Sequence, residues 1–213
     1  MTKQYLFAAS IVILMLGSGS CSKSPATYCP LDQGRVWTYQ MLMKMPSGVE
    51  RSGTITITNL APRELDGKTV TPEKEEGQGS SVTHYIFSYL AEDPSGVLTV
   101  AKQDSGDVKP TIYNPPRYLI KKPIRPGTTW AAFLPSANGG EVPAKATIES
   151  TDETVDVPAG TFKHCVKIHI VGDSKQAAGQ DEYRWLAPSI GLIKVIENGV
   201  SIPNSILLVS FKK

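Results

Sequence analysis

From Trp37 onward the chain alternates. Trp37, Tyr39, Met41, Met43 and Met45 interleave with Thr38, Gln40, Leu42 and Lys44. A period of two fits a strand with one buried face and excludes an amphipathic helix. The pattern recurs. Ile55 and Ile57 share a face against threonines, and Tyr85, Phe87 and Tyr89 share one within 83–90. Phe162, Val166, Ile168 and Ile170 do so later, and further strands are expected over 145–150, 153–157, 182–186, 191–197 and 205–211. Turn signals separate them at Pro46-Ser47-Gly48, Asp66-Gly67 and Asp93-Pro94-Ser95-Gly96, where Gly, Pro, Asn and Asp supply the dihedrals that tight turns need. Residues 72–81 and 103–110 read as polar loops, and 135–143 is rich in Gly, Pro and Asn. The 16 Pro and 18 Gly are spread along the chain rather than clustered. We therefore expect an all-β protein of about ten to twelve strands, in an antiparallel, strongly curved sheet that forms an open or closed barrel.

One phrase is written twice. Pro30, Leu31, Gly34 and Trp37 recur 93 positions later as Pro123, Ile124, Gly127 and Trp130. Proline cannot donate to a sheet ladder and so precedes a strand. Glycine permits the sharp redirection, and tryptophan then anchors a buried face. A weaker echo runs from Trp185 to Val195, with Pro188 and Gly191. Residues 28–213 are thus expected to form a single β domain, with two pseudo-repeats of one sheet as its plan.

The N-terminus carries an export signal. Lys3 precedes an apolar run from Leu6 to Leu16, eleven residues broken only by Ser10. That is too short to span a bilayer and suits a signal-peptide core. Small residues then lead to Cys21, which resembles the cleavage site of a bacterial lipoprotein. In that reading 1–20 is the signal peptide, Cys21 is lipidated and 21–27 is a tether. Several acyl chains, palmitate among them, would hold the protein on a membrane. Ser18 stands where such sites usually have Leu, so a secretory signal cut near Ser20 or Ser22 is the alternative. Ser22 after Cys21, rather than Asp, resembles the pattern of outer-membrane lipoproteins facing the periplasm.

Four phrases, YCPLDQGRVWTYQ, KPIRPGTTW, VPAGTFKHCVKI and WLAPSIGLIKV, span about residues 28–197. In this order they resemble a family of uncharacterised bacterial envelope lipoproteins of the DUF3108-type exported class. The resemblance implies a curved antiparallel sheet and transfers no catalytic residues. Cys29 departs from it, since an apolar residue is more usual there, whereas Cys165 fits.

No motif for catalysis stands out. His164 and His169 lie five apart on one expected strand and point to opposite faces. Cys165 and His169 share a face but sit about 13 Å apart along it, too far for a thiolate–imidazole pair. Asp152, Glu153, Asp156, Asp181 and Glu182 read as solvated. Tyr113, Arg117, Tyr118 and the turn at 114–116 have the makings of a recognition loop. Cys29 and Cys165 admit two readings, a disulfide in an oxidising compartment or two buried thiols. Three thioethers on one face suit Cu(I), but that face also carries Trp37 and Tyr39, the composition of a core or of an apolar cavity. No metal and no cofactor is expected.

With a net charge of +2 and no Lys/Arg run longer than two, nucleic acid is not expected as a partner. The expected function is that of a lipid-anchored envelope protein, not an enzyme, serving as a binding or structural module toward another envelope protein. The alternative is a periplasmic carrier of a lipid or other hydrophobic ligand, with Tyr39, Met41, Met43, Tyr85 and Phe87 lining the cavity. The anchor is open to direct test. Cys21→Ala is expected to move the protein from the membrane fraction to the soluble periplasm and to abolish palmitate labelling. Unchanged sedimentation of the variant would place the membrane contact elsewhere.

Overall fold

The computed structural model describes residues 27–45, 47–78, 84–136, 140–173, 179–199 and 204–213. Cys21, the leader and most of the tether lie outside the described residues. Thirteen strands, and no helix, are found among those described. They are β1 (Val36–Lys44), β2 (Glu50–Asn59), β3 (Arg63–Leu65), β4 (Lys68–Gln78), β5 (His84–Asp93), β6 (Gly96–Asp104) and β7 (Thr111–Lys121). The second half contributes β8 (Thr129–Pro135), β9 (Glu141–Val157), β10 (Gly160–Gly172), β11 (Asp181–Ala187), β12 (Gly191–Asn198) and β13 (Asn204–Lys212).

All pairings are antiparallel, and the sheet order is β7-β6-β5-β4-β2-β1-β13-β12-β11-β10-β9-β8, with β3 paired to β4 alone. Two meanders of six strands each are joined where the first strand meets the last. Trp37 faces Phe211 and Met41 faces Ile206 across that junction. The other ends, β7 and β8, are not paired in a ladder, which leaves the barrel nearly closed. Side chains bridge this seam. Trp130 Nε1 donates to Tyr118 O at 3.0 Å. Arg117 lies over the rings of Tyr113 (3.5 Å) and Phe133 (4.3 Å) and pairs with Glu141. Bulges in β6, β7, β9, β10, β12 and β13 supply the bending that closure requires.

The repeated phrase has one geometry in both places. Gly34 N donates to Asn59 O at 2.9 Å, and Asn59 N returns a bond to Arg35 O at 3.0 Å. Gly127 N donates to Ile148 O at 2.8 Å, and Ile148 N returns one to Thr128 O at 2.9 Å. The two glycines adopt φ of 84° and 86°, the left-handed region that favours glycine. Two pairs further on, Trp37 faces Ile57 and Trp130 faces Ala146. Each tryptophan is buried, and its indole N–H bonds a backbone carbonyl, Ile190 O for Trp37 at 2.7 Å. A buried indole needs such a partner.

The core falls into three clusters. One joins Trp130, Ile148, Val166, Ile168 and Leu186, with Tyr28, Cys29 and Leu31 packed on it. A second joins Trp37, Tyr39, Cys165, Trp185 and Leu208. The outer half of the β9–β10 hairpin curls onto it, with Ala159 N donating to Leu208 O at 3.0 Å. A third, smaller cluster holds Val70, Tyr89, Leu98 and Val100.

Several expectations are corrected. The polar stretch over 72–81 is strand as far as Gln78, and 79–83 lie outside the described residues. The strands expected over 145–150 and 153–157 are one strand of 17 residues. The recognition loop around Asn114-Pro115-Pro116 lies within β7. Glu182, read as solvated, is 2% exposed. By contrast, the turns at Gly48, Asp66-Gly67 and 93–96 join β1 to β2, β3 to β4 and β5 to β6.

Gly96 is where backbone geometry is least forgiving. Its φ is 148°, and a Cβ there would stand 2.1 Å from Ile120 O, on the strand it pairs with. Gly96→Ala is expected to cost on the order of 3 kcal/mol in urea denaturation. Gly106→Ala, with open space around it, should stay within about 0.5 kcal/mol of the parent. Equal midpoints for the two variants would refute this account of the β6–β7 approach.

Candidate ligand-binding site

The segment Thr27–Leu31 lies across the sheet and ties its two halves together. Ser189 N donates to Thr27 O at 2.7 Å, Asn59 Nδ2 to Pro30 O at 3.0 Å and Thr71 Oγ1 to Leu31 O at 3.3 Å. Below this segment is a cavity of about 120 Å³. Its wall is apolar, with Leu31, Trp37, Ile57, Leu90, Leu119, Leu186 and Leu192, and is interrupted by Cys29, Tyr39, Glu73 and Arg184. A second space of about 180 Å³ lies under the β7/β8 seam and shares Leu119 and Arg184 with the first. Its wall is more polar and includes Ser88, Lys102, Tyr113, Arg117 and Glu141.

Two charged side chains enter the first cavity under different conditions. Arg184 pairs with Glu182, whose side chain is 3% exposed. Burial works against the guanidinium charge, and Glu182 more than offsets it, so Arg184 stays ionised. Among the described residues, Glu73 makes no hydrogen bond and no ion pair. Burial, reinforced by neighbouring Glu75, pushes its carboxyl up to about 7. Glu75 is itself raised by burial, which Lys102 and His84 partly offset. The field of Glu73 reaches its neighbours. Burial and then Glu73 push the Cys29 thiol up to about 12 and the Tyr39 phenol well above its usual range. Opposite Glu73 in the β2–β4 register stands Asn59. Its Nδ2 serves Pro30 O and Asp32 O, while its buried Oδ1 has no partner among the described residues. Native proteins leave few such groups unmet.

Of the five residues expected to line a cavity, Tyr39 does. Its hydroxyl donates to Leu192 O at 2.9 Å. Met41 shares its face but packs on the Trp37–Trp185 cluster, and Met43 lines an open groove with Glu50 and Asn204. At about 3.3 Å per residue, β1 has run past the cavity by then. Tyr85 and Phe87 point away. Register pairs Glu73 with Ser88 and Thr71 with Leu90, so the even-numbered residues of β5 face inward. The odd ones form an aromatic row, Tyr85 to Phe87 at 5.4 Å and Phe87 to Tyr89 at 6.4 Å. Cys29 and Cys165 are free thiols packed on different clusters, so the bridge is not formed. Burial, with Glu153 adding to it, pushes Cys165 up to about 11, and its thiol donates to Phe162 O at 3.5 Å.

The histidines sit on the outer surface. His164 holds Asp152 at 2.5 Å, and His169 lies between Glu149 at 2.9 Å and Asp181 at 3.2 Å, stacked on Tyr183. Among the described residues, no group of His, Cys, Asp and Glu is arranged to hold a metal ion. Glu73 and Arg184 were missed from sequence because their strands alternate polar with polar or aromatic residues. The run Glu73, Lys74, Glu75, Glu76 has no hydrophobic period to read.

No family model matches this chain, and no curated protein matches it. Two solved structures are similar over most of its length. One is described as a candidate exported protein with a YmcC-like fold from Bacteroides fragilis, at 18% identity and a TM-score of 0.48, covering 88% of this chain and 100% of that one. The other is described as a candidate lipoprotein from Parabacteroides distasonis, at 12% identity and a TM-score of 0.45, covering 89% and 100%. At that distance neither likeness bears on any residue of the cavity.

The raised Glu73 carboxyl has a consequence for stability. Its ordinary value is 4.5 and its folded value about 7. Below the first, both states hold the proton and the fold bears no penalty. Between the two, only the unfolded chain ionises, so stability falls with pH, and above about 7 the loss is complete. Glu73→Gln removes the ionisation. It is expected to match the parent near pH 4 and to exceed it by about 3 kcal/mol near pH 8, read by urea denaturation across that range. A gap that does not change with pH would mean that Glu73 is not the titrating group.

Proposed function

We propose that this protein is a lipid-anchored envelope protein, facing the periplasm from the outer membrane, and that it acts as a non-catalytic binding module for a small, largely apolar ligand. The anchor and location rest on the leader, on Cys21 and Ser22, and on the resemblance to DUF3108-type envelope lipoproteins. The binding role rests on one observation: an apolar cavity lined by a carboxyl group, Glu73, that has no partner among the described residues. Binding sites have this make-up, a mostly apolar wall with a few placed polar groups.

The size of the cavity narrows the carrier idea. At about 120 Å³ it is near the roughly 150 Å³ that holds one benzene ring. A whole two-chain lipid does not fit. A single ring, a short branched body or the end of one chain does.

Leu119 stands between the two spaces. Leu119→Trp is expected to fill both. Protein isolated from the envelope and sprayed under native conditions should carry a reproducible small extra mass, and the variant should lack it. A bare parent mass would shift the function to the outer surface of the barrel.

A further inference from the structure

We infer that the ligand of this cavity carries an amine on an aromatic or compact apolar body, and that Glu73 is the anchor for its nitrogen. This rests on the reading of the cavity as a binding site and names the class of ligand it takes.

The need for a donor comes from two acceptors on adjoining strands. Glu73 makes no hydrogen bond or ion pair among the described residues. Asn59, its direct cross-strand partner, has a buried Oδ1 without a donor. Side chains so placed have Cβ atoms about 5 Å apart, near enough for one nitrogen to serve both. Of the polar groups that line the cavity, Tyr39 gives its hydroxyl to Leu192 O, and Arg184 gives its Nε–H to Glu182. The Cys29 thiol stays protonated and is a weak donor.

Charge selects an amine over an acid. Glu73 and Glu197 have raised carboxyls, with burial as the first cause and a neighbouring carboxylate as the second, whereas Glu75 is raised by burial and partly relieved by Lys102 and His84. Glu73 is the one of the three that no cation relieves, and Glu75 adds a like charge beside it. A further anion at Glu73 would add to the repulsion. A proton on Glu73 removes its charge and supplies a single O–H donor. An ammonium pairs with the carboxylate as an opposite charge and supplies three N–H donors, enough for Glu73 and Asn59 Oδ1 together. Trp37 and Tyr39 complete the selection, because aromatic walls attract a cation and pack against an apolar body.

Benzylamine, benzyl alcohol and benzoate test this, because they share one ring and differ at the head group. The protein, isolated from the envelope and held in nanodiscs, reports through its three indole N–H resonances. Trp37 lines the first cavity, Trp130 lines the second, and Trp185 lines neither. Benzylamine is expected to shift Trp37 and to bind about tenfold more tightly than benzyl alcohol, as one charge-assisted hydrogen bond would give. Benzoate should be the weakest of the three. In Glu73→Gln the ratio of amine to alcohol affinity should fall to about one, with an unmoved Trp185 resonance showing that the fold persists. Equal binding of amine and alcohol in the parent, or tightest binding of benzoate, would overturn the inference and leave the cavity as a binding site of other preference. So would an amine preference that survives Glu73→Gln. Silence of Trp37 toward all three probes would overturn the binding role itself.

Discussion

The architecture depends on the pairing of the first strand with the last. Each six-strand meander is built from neighbours in sequence, and such hairpins form locally. Only the β1–β13 ladder, running from Val36 opposite Lys212 to Met43 opposite Asn204, makes them one sheet. It joins positions more than 160 residues apart, so its loop-closure cost must be met by what the junction buries. Trp37, Tyr39 and Leu208 are buried there, in one cluster with Trp185 and Ile193. With the halves held in this way, the free ends β7 and β8 are brought face to face, and an interior exists.

The other junction between the halves is made differently. Along β7 and β8 the contacts are an indole bonded to a carbonyl and an arginine held between two rings and a glutamate. Side-chain contacts of this kind tolerate small displacements that a hydrogen-bonded ladder does not. The more polar of the two interior spaces lies beneath this seam, and the apolar one lies beneath the N-terminal segment. The molecule therefore has one side closed by backbone and one closed by side chains, with Arg184 and Leu119 between the two spaces.

Glu73 is costly where it stands. A carboxyl on an apolar wall forfeits hydration, and the neighbouring Glu75 adds to that cost. A core built for stability alone would hold an apolar residue there. The same holds for Asn59, although its amide fastens the turn before β1 and so has a structural task for one of its two ends. Unmet polar groups on an apolar wall are where a fold departs from its own rules, and such departures gather at functional sites.

Much of this plan could be read from residues in order. Alternation at Trp37–Met45 and at Phe162–Ile170, with Asp66-Gly67 and the repeated Pro-Gly-Trp phrase, determined an all-β chain and the places where its strands begin. These signals are local: a period of two, a glycine that must adopt positive φ, a proline that cannot enter a ladder. What lay beyond them was set by partners far along the chain. Residues 73–76 became a strand because β2 and β5 flank them, not through any propensity of Glu and Lys. Tyr85 and Phe87 look like a cavity wall in sequence, yet the register with β4 turns them outward and turns Ser88 and Leu90 in. Period fixes which residues share a face, but only pairing decides which face is the interior. For that reason the sequence alone determined the strands, while the site at Glu73, Asn59 and Arg184 was decided by the tertiary structure.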